Sequence, residues 1–206
     1  MSFYEDKILP HVINCTCGSK PILRQRQKVV PFAEGRVLEI GIGTGLNLTY
    51  YDHTKVSHLI GLDPSQASWE LAKQRAQALP FPVEFVAESA ETIGLETDSI
   101  DSVVVTYSLC TIPDPVSALE GIRRVLKPRG KLLFTEHGRA PDEAVRRWQD
   151  RLDRVWGMIA GGCHLNRDIP RILELGGFQT ESLETMYLPR TPRFAGFNFW
   201  GVAHKN

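Results

Sequence analysis

The most constraining feature of the sequence is an apolar run that leads directly into alternating glycines. Residues 37–40 have the composition of a buried strand, and Gly41, Gly43 and Gly45 follow it at every second position. Glycine removes side chains where the backbone must approach a ligand closely or adopt an unusual conformation. The dinucleotide-binding pattern G-x-G-x-x-G would need its third glycine at position 46, which is Leu46. The loop therefore suits a nucleoside cofactor, but its glycine spacing differs from that of the dinucleotide-binding pattern.

Two acidic residues accompany this loop. Asp63 closes the next apolar run, 20 residues after Gly43, the interval at which a strand–helix–strand unit presents an acid to ribose hydroxyls. That acid fits a dinucleotide and other nucleosides equally. Glu39 lies in the strand before the loop. A pyrophosphate suits the free amides of a helix N-terminus, and an acidic side chain makes little sense beside that anion. Glu39 therefore favours a cofactor that carries positive charge.

Strand-like and helix-like segments alternate through the body of the chain. Strands are predicted near residues 36–40, 57–62, 83–87, 101–106 and 130–136, and helices near 46–52, 65–79 and 115–126. Such alternation requires a parallel sheet with helices on both faces. The sequence has no internal repeat, and its 206 residues are in the size range of one domain. We therefore expect a single α/β domain over residues 1–206.

Charge and hydropathy exclude several classes of protein. Lys plus Arg and Asp plus Glu number 24 each, so the net charge is zero and no positive field favours nucleic acid. No stretch approaches the roughly 18 apolar residues of a membrane span, and the first residues lack the apolar centre of a signal peptide. We expect a cytoplasmic enzyme, monomeric or homodimeric, that acts on a small molecule without stable membrane insertion.

An N-terminal helix is predicted within a helical cap over residues 1–35. Ser19 followed by Pro21 is typical of a helix start, and Pro31 ends the helix. Its basic residues are expected to face solvent, with peripheral contact to an anionic membrane as the alternative. They are Lys20, Arg24, Arg26 and Lys28.

Several motifs in chain order resemble those of class I methyltransferases that use S-adenosylmethionine (SAM). They are the glycine loop, residues 85–91, residues 98–106 and the turn within residues 124–134. The resemblance implies a Rossmann-like sheet of seven mainly parallel strands with helices on both faces. Two late runs, 178–188 and 194–204, suit the antiparallel hairpin that completes such a sheet. SAM is the implied cofactor and S-adenosylhomocysteine the product.

The resemblance also implies the residues that hold SAM. Ser89 departs from the family pattern, which often has Asp there, so Glu88 or a backbone group is an alternative partner for the adenine. Arg129 replaces the usual first glycine of the turn, so only Gly130 is expected to need a positive φ there. The implied set is Glu39, Gly41, Gly43, Gly45, Asp63, Pro64, Ser89, Ala90 and Thr106.

Later segments are similar to the methyltransferase-like seven group, which methylates alkyl thiols. The similarity rests on residues 106–112, 134–137, 162–167 and 197–201 and extends from about residue 18, although that group's hydrophobic membrane anchor has no counterpart here. It implies an apolar thiol as acceptor. An amphipathic helix over 141–160 then belongs to a lid segment, 138–170. Candidate bases are His137 and His164, and candidate acceptor-site residues are Tyr4, Tyr107, Cys110, Trp148, Asn166 and Trp200.

The four cysteines, Cys15, Cys17, Cys110 and Cys163, are expected to be reduced thiols. Cys15 and Cys17 have the wrong spacing for a zinc knuckle and no partner pair follows, so we expect no metal. Burial as small apolar residues is one interpretation. Convergence of the four thiols on a metalloid, as in arsenite methyltransferases, is the other.

Further activities remain as alternatives. Quinone- and phospholipid-type O-, C- or N-methyltransferases share the first motifs. A nicotinamide-dependent oxidoreductase would explain the glycine loop and Asp63, but not Glu39 or Leu46. A catalytically silent SAM-binding subunit would keep the loop and lose the acceptor pocket.

Overall fold

Strands and helices alternate along residues 14–206, the part of the chain that the computed structural model describes. The strands are β1 (Gly35–Ile40), β2 (Val56–Leu62), β3 (Val83–Val86), β4 (Ile100–Thr106), β5 (Leu126–His137), β6 (Phe178–Tyr187) and β7 (Phe197–Lys205). The helices after residue 19 are α1 (Lys20–Arg26), α2 (Gln66–Gln77), α3 (Pro115–Val125), α4 (Glu143–Ile159), α5 (Ile169–Leu175) and α6 (Arg193–Gly196).

The seven strands form one sheet in the order β3-β2-β1-β4-β5-β7-β6. Strands β1 to β5 are parallel, whereas β7 is antiparallel to both β5 and β6. The predicted mainly parallel sheet with a C-terminal antiparallel hairpin is therefore confirmed. The chain changes direction at β1, which pairs with β2 on one side and β4 on the other, and ligands of such sheets bind beside this point at the carboxyl ends of the strands.

Apolar side chains form one cluster on each face of the sheet. One cluster packs against α3 and the other against α2. Asp114 caps the start of α3, because its carboxylate accepts hydrogen bonds from the amides of Val116 and Ser117, both at 3.1 Å. The Ser65 hydroxyl accepts from the Ser68 amide at 3.2 Å and caps α2 in the same way. These two caps fix where the helices begin, beside the crevice at the carboxyl ends of the parallel strands.

A buried glutamine fastens α4 to the body. The Gln149 side-chain amide donates to the carbonyl oxygens of Gly138 and Leu165, each at 2.9 Å, and its oxygen accepts from the Ala140 amide at 2.9 Å. The solvent-facing side of the helix carries charged side chains and also several apolar ones. Its apolar side chains that are more than half exposed are Trp148, Val155, Met158 and Ile159. Within residues 14–206, no helix is long and apolar enough to cross a bilayer.

The basic residues of the N-terminal helix do not share one environment. Lys20 and Arg24 are exposed, as predicted. Arg26 is 5% exposed, so the prediction of a solvated side chain is wrong for this residue. The Lys28 ammonium lies 3.3 Å from the centroid of the Trp200 ring. The helix therefore lies against the sheet through its last turn.

The helix predicted over residues 46–52 is wrong. Only Leu48–Tyr50 form a single 3₁₀ turn. Gly45 has a φ of +72°, and the Asn47 side chain turns inward and is fully buried. A side-chain amide that bonds to buried partners fixes this short segment in place of a regular helix.

The expected positive φ at Gly130 is also wrong. Among residues 14–206, neither Gly130 nor Arg129 is in the left-handed region, and β5 runs through both. Glycine is needed at 130 because a Cβ there would lie 2.6 Å from Leu126 Cδ1 and 3.0 Å from the Asp101 carbonyl oxygen. Close packing, not turn geometry, explains this glycine.

Candidate active site

The glycine loop lines the crevice with a different role for each glycine. Gly41, Gly43 and Gly45 all have positive φ, at 69°, 49° and 72°. A Cβ on Gly41 would meet the Ser108 hydroxyl oxygen at 2.3 Å, and one on Gly45 would meet Leu48 Cδ1 at 2.6 Å. A Cβ on Gly43 would find no atom of residues 14–206 closer than 3.8 Å. Gly41 and Gly45 therefore allow internal packing, whereas Gly43 leaves space beside the crevice.

Asp63 borders that same space. Its carboxylate accepts hydrogen bonds from the Gly43 amide at 2.9 Å and the Ser65 amide at 2.8 Å. Burial raises the pKa of Asp63, and the two amides oppose the rise. The side chain thus joins the end of β2 to the glycine loop, with a polar edge next to the open position at Gly43.

Glu39 lies beneath the loop in a buried polar network. Its oxygens accept from the Asn47 amide nitrogen at 2.9 Å and the Tyr51 hydroxyl at 2.6 Å, and the side chain is 2% exposed. Asn47 also donates to the Thr106 hydroxyl oxygen at 2.9 Å, while Arg26 donates to Asn47 at 2.9 Å and to Thr106 at 2.5 Å. Glu39 and Thr106 thus support the loop from below, and direct contact with a cofactor stays a prediction for both.

The network makes stability depend on pH through Glu39. Burial raises the pKa of Glu39 from 4.5 to about 7, against the Tyr51 hydroxyl, the Arg26 charge and the Asn47 amide. Because the folded protein keeps a proton that the unfolded chain loses, the free energy of unfolding falls as pH rises from about 4.5 to about 7. We expect Glu39→Gln to remove about 3 kcal/mol of this fall, measured by urea unfolding at about pH 5 and about pH 8. An equal fall in Glu39→Gln and the exposed control Glu34→Gln would contradict the prediction.

The other predicted cofactor residues lie at the same edge of the sheet. Pro64 follows β2 and is exposed, and Ala90 is buried at the start of a 3₁₀ turn after β3. The Ser89 hydroxyl donates to the Glu91 carboxylate, and Glu88 accepts from a backbone amide, that of Gly94. Both side chains that were candidates for the adenine amine are thus hydrogen-bonded within the protein.

A second group of reactive side chains lies at the ends of β4 and β5. Cys110 follows β4, His137 is the last residue of β5, and Cys163 follows α4. Their Sγ, Nε2 and Sγ atoms all lie within 4.8 Å of one another, with 3.0 Å between His137 Nε2 and Cys163 Sγ. The Cys163 segment is fixed there because the His164 amide donates to the Cys110 carbonyl at 2.8 Å. We call these three residues the thiol–imidazole cluster.

Electrostatics favour an ionised sulfur in this cluster. The hydrogen bond from Cys110 and the charge of His137 lower the pKa of Cys163, although burial opposes them. The same bond, together with burial, raises the pKa of Cys110. Burial lowers the pKa of His137, but the neighbouring Cys163 sulfur outweighs it and the net shift is upward. Burial also raises the pKa of Glu136 to about 7, although the Ser108 and Leu109 amides donate to it.

Tyr107 borders the cluster in a strained backbone conformation. Its φ is +55°, which is costly for a bulky residue and typical of functional positions. The ring lies 6.4 Å from the His137 ring, centroid to centroid, and beneath the Arg26 guanidinium at 5.3 Å. Its hydroxyl donates to Asn198 at 2.6 Å. The tyrosine therefore joins the cofactor network to the thiol–imidazole cluster.

Comparison with known proteins decides the family. A family model described as a methyltransferase domain matches residues 38–134. A SAM-dependent methyltransferase structure from Methanosarcina mazei aligns with a TM-score of 0.66 and 21% identity over 84% of this chain and 93% of its own. A thiol S-methyltransferase of Rattus norvegicus is 32% identical over 79% of this chain and 70% of its own length. The chain belongs to the class I SAM-dependent methyltransferases.

Two further relatives show how broad this family is. A demethylmenaquinone methyltransferase of Clavibacter sepedonicus is 31% identical over 59% of the chain and 49% of its own length. A mitochondrial methyltransferase of Saccharomyces cerevisiae is 29% identical over 73% of the chain, which spans only 36% of that longer protein. The family membership therefore establishes methyl transfer from SAM and leaves the acceptor to be argued from the site.

The glycine loop of this methyltransferase fits SAM. The space at Gly43 admits a ligand to the backbone, and Asp63 offers a carboxylate beside it. Both lie at the change of chain direction in the sheet, where nucleosides bind. Gly43 and Asp63 would thus face the cofactor directly, with Glu39 and Thr106 behind them.

The predicted acceptor residues divide into two groups. Cys110, His137 and Tyr107 meet at the methyltransferase's thiol–imidazole cluster and its border. His164 is different, since its ring contacts Asp153 at 2.8 Å and its side chain is 43% exposed. Of the two candidate bases, His137 therefore lies in the thiol–imidazole cluster, whereas the His164 ring lies against Asp153.

Three other predicted residues are not at the cluster. Asn166 donates to Asp150 on α4 at 2.9 Å, so its amide is occupied. Trp148 is 55% exposed beside Arg151, and its place in the acceptor lining stays a prediction. Trp200 lies beneath Lys28 and packs against the apolar side chains on the α2 face of the sheet. Tyr4 lies outside the described residues.

Sequence reasoning missed several buried polar residues of this methyltransferase. Asn47 follows the glycine loop directly, and an amide at that position is a signal for a loop support. Glu136 is a charged residue that follows the apolar run 132–134 near the end of β5, which also marks a functional edge. Arg26 gave no such signal, because a basic residue on a short helix ordinarily faces solvent.

Proposed function

We propose that this methyltransferase transfers the methyl group of SAM to the sulfur of a small apolar thiol. The observation that carries the proposal is the position of the buried His137 at the carboxyl ends of β4 and β5, where its Nε2 already contacts one sulfur, that of Cys163, at 3.0 Å. The similarity to the thiol S-methyltransferase of Rattus norvegicus, which covers 70% of that protein's length, supports the same acceptor. The Tyr107 ring supplies an apolar surface beside the imidazole.

The chain's main task is alignment. When bound, SAM supplies a methyl carbon that is already activated by a positively charged sulfur. The glycine loop and Asp63 position SAM, and the thiol–imidazole cluster with Tyr107 positions the acceptor thiol. Holding nucleophile and methyl in line contributes about 7–11 kcal/mol in well-oriented reactions. No strong acid is needed, because the departing sulfur becomes neutral.

The acceptor must be ionised before it attacks. A free thiol has a pKa of about 8.5, so only a few per cent is thiolate at neutral pH. His137 is the buried group placed to promote that ionisation. The lid role of residues 138–170 belongs to this proposal, since that segment brings Cys163 to His137. A cytoplasmic location and a monomeric or homodimeric state stay predictions from the sequence.

A panel of acceptors tests the proposal. The protein is incubated with methyl-labelled SAM and, separately, small alkyl thiols, quinols and amines, with mass detection of the products. We expect S-methyl thioethers that carry the label. Methylation of quinols or amines alongside silence toward every thiol would overturn the thiol proposal. Methylation of quinols would favour the quinone-type activity of the Clavibacter relative, and methylation of amines an N-methyltransferase.

Loss of Asp63 should weaken cofactor binding. Asp63→Ala removes the acceptor for the Gly43 amide and the carboxylate beside the cofactor space, so we expect a cost of about 1–3 kcal/mol in SAM affinity by calorimetry. Asp52→Ala removes a partly exposed carboxylate that likewise accepts from a backbone amide, that of Thr54, and is the matched control. Unchanged affinity in a folded Asp63→Ala protein would show that this carboxylate lies outside the cofactor site.

A further inference from the structure

The donor atoms of the thiol–imidazole cluster have the composition of a soft-metal site. Among residues 14–206, Cys110, His137 and Cys163 are the one group of three metal-ligating side chains whose donor atoms converge, all within 4.8 Å. Two sulfurs and an imidazole nitrogen favour Zn²⁺ over Mg²⁺ or Ca²⁺, which need oxygen ligands. None of these three ligands is a carboxylate.

The spacing fits one ion with small movements. Zn–S bonds of about 2.3 Å and Zn–N bonds of about 2.0–2.1 Å place ligand atoms of a tetrahedral site about 3.5–3.8 Å apart. The observed contact of 3.0 Å and the limit of 4.8 Å bracket this value. Side-chain rotation of about 1 Å would close the site around an ion without moving β4 or β5.

We propose that Cys110, His137 and Cys163 bind Zn²⁺ and that the fourth position of this ion holds the acceptor thiol. The proposal rests on the proposed thiol S-methylation and specifies how the acceptor is activated. Three protein ligands leave a fourth position open, as in catalytic zinc sites. Cys110 is 2% exposed and His137 9%, whereas Cys163 is only partly buried, so the open position faces the side of the Cys163 segment.

The charges around the cluster suit this arrangement. Two protein thiolates neutralise a divalent ion, and a bound acceptor thiolate adds one negative charge. Arg167 is held beside the cluster because its guanidinium donates to the carbonyl oxygens of Leu109 and Ile112. A fixed positive charge there offsets the acceptor thiolate without providing a competing ligand.

The step balances without an oxidant or a reductant. The acceptor thiol binds the ion and releases its proton to solvent, because a metal-coordinated thiol is deprotonated. The thiolate sulfur forms a bond to the methyl carbon of SAM as the bond from that carbon to the cofactor's sulfur breaks. The electron pair of the broken bond stays on that sulfur, giving neutral S-adenosylhomocysteine. The thioether product is a neutral, weaker ligand and leaves, and His137 acts as a ligand throughout.

Metal binding is measured first, without any methyl transfer. The protein is stripped with a chelator, kept reduced with a phosphine and titrated with Co²⁺ and then Zn²⁺. We expect one equivalent of Co²⁺ with sulfur-to-cobalt charge-transfer and tetrahedral ligand-field absorption, displaced by Zn²⁺. Cys110→Ser and Cys163→Ser should each weaken Zn²⁺ binding by at least about 100-fold, whereas the exposed-cysteine control Cys15→Ser should not. Circular dichroism checks that each variant is folded.

A second arm separates this proposal from the proposed function. A small alkyl thiol added to the Co²⁺ protein should change the absorption spectrum, and Zn²⁺ should restore thiol methylation to the stripped enzyme. Absence of a sulfur-to-cobalt band, or equal binding by the folded Cys110→Ser/Cys163→Ser double variant, would overturn the metal site. Full thiol methylation by the stripped enzyme would overturn the metal's role and leave thiol S-methylation standing. Methylation of other acceptors only, despite a normal Co²⁺ spectrum, would overturn thiol S-methylation together with the ion's role in activating the thiol. The metal site itself would stand.

Discussion

A Gly43→Val variant is expected to fold and to lose SAM binding. The branched side chain would fill the space beside Asp63, where a Cβ on Gly43 would lie at least 3.8 Å from every other atom of the described chain. Valine also resists the φ of +49° at this position, so the loop itself would be strained. We expect SAM affinity to fall by at least about 100-fold, or about 2.7 kcal/mol, in calorimetry.

Backbone strain and loss of the ligand space can be separated with a second glycine. Gly162 has a φ of +83° and open surroundings, because a Cβ there would lie 3.8 Å from Thr111, its nearest neighbour among residues 14–206. Gly162→Val should therefore lower the unfolding temperature by a similar amount and leave SAM binding intact. If folded Gly43→Val binds SAM like the unaltered protein, the glycine loop does not contact the cofactor.

The centre of the sheet could be predicted from the sequence because β1, β2 and β4 are buried runs with clear ends. Strand β1 ends at the glycine loop and β2 ends at Asp63, so apolar composition and punctuation agree. The helix predicted at 46–52 failed because one buried side chain, that of Asn47, outweighed the local pattern. Helical spacing in a short segment cannot reveal a tertiary hydrogen bond.

The site was only partly predictable for a similar reason. Gly43 and Asp63 are fixed by local spacing, since a strand, a turn and the next strand bring them together. Cys110, His137 and Cys163 come from three separate elements, and no periodicity relates them. Their meeting depends on the segment after α4 folding back onto the end of β4, which the His164–Cys110 backbone bond secures. Cysteine counting alone therefore favoured simple burial.

Loss of His137 should slow methyl transfer to thiols while leaving SAM binding unchanged. The imidazole promotes ionisation of the acceptor, as a base or as a metal ligand, and loss of such a group costs about 10²–10⁴-fold in kcat. The deficit of His137→Ala should shrink as pH rises toward about 8.5, because solvent then supplies the thiolate. Initial rates with an alkyl thiol across this pH range measure the effect.

Two further variants make the result specific to the cluster. His137→Gln keeps most of the side-chain volume, so a similar loss in this variant excludes a simple cavity at the end of β5. His164→Ala removes an imidazole that is paired with Asp153 and 43% exposed, and it should keep a near-normal rate. Equal losses in His137→Ala and His164→Ala, or a His137→Ala deficit that stays constant with pH, would show that the buried imidazole does not govern ionisation of the acceptor. The acceptor would then react from its solvent-ionised fraction alone, and alignment would carry the whole of catalysis.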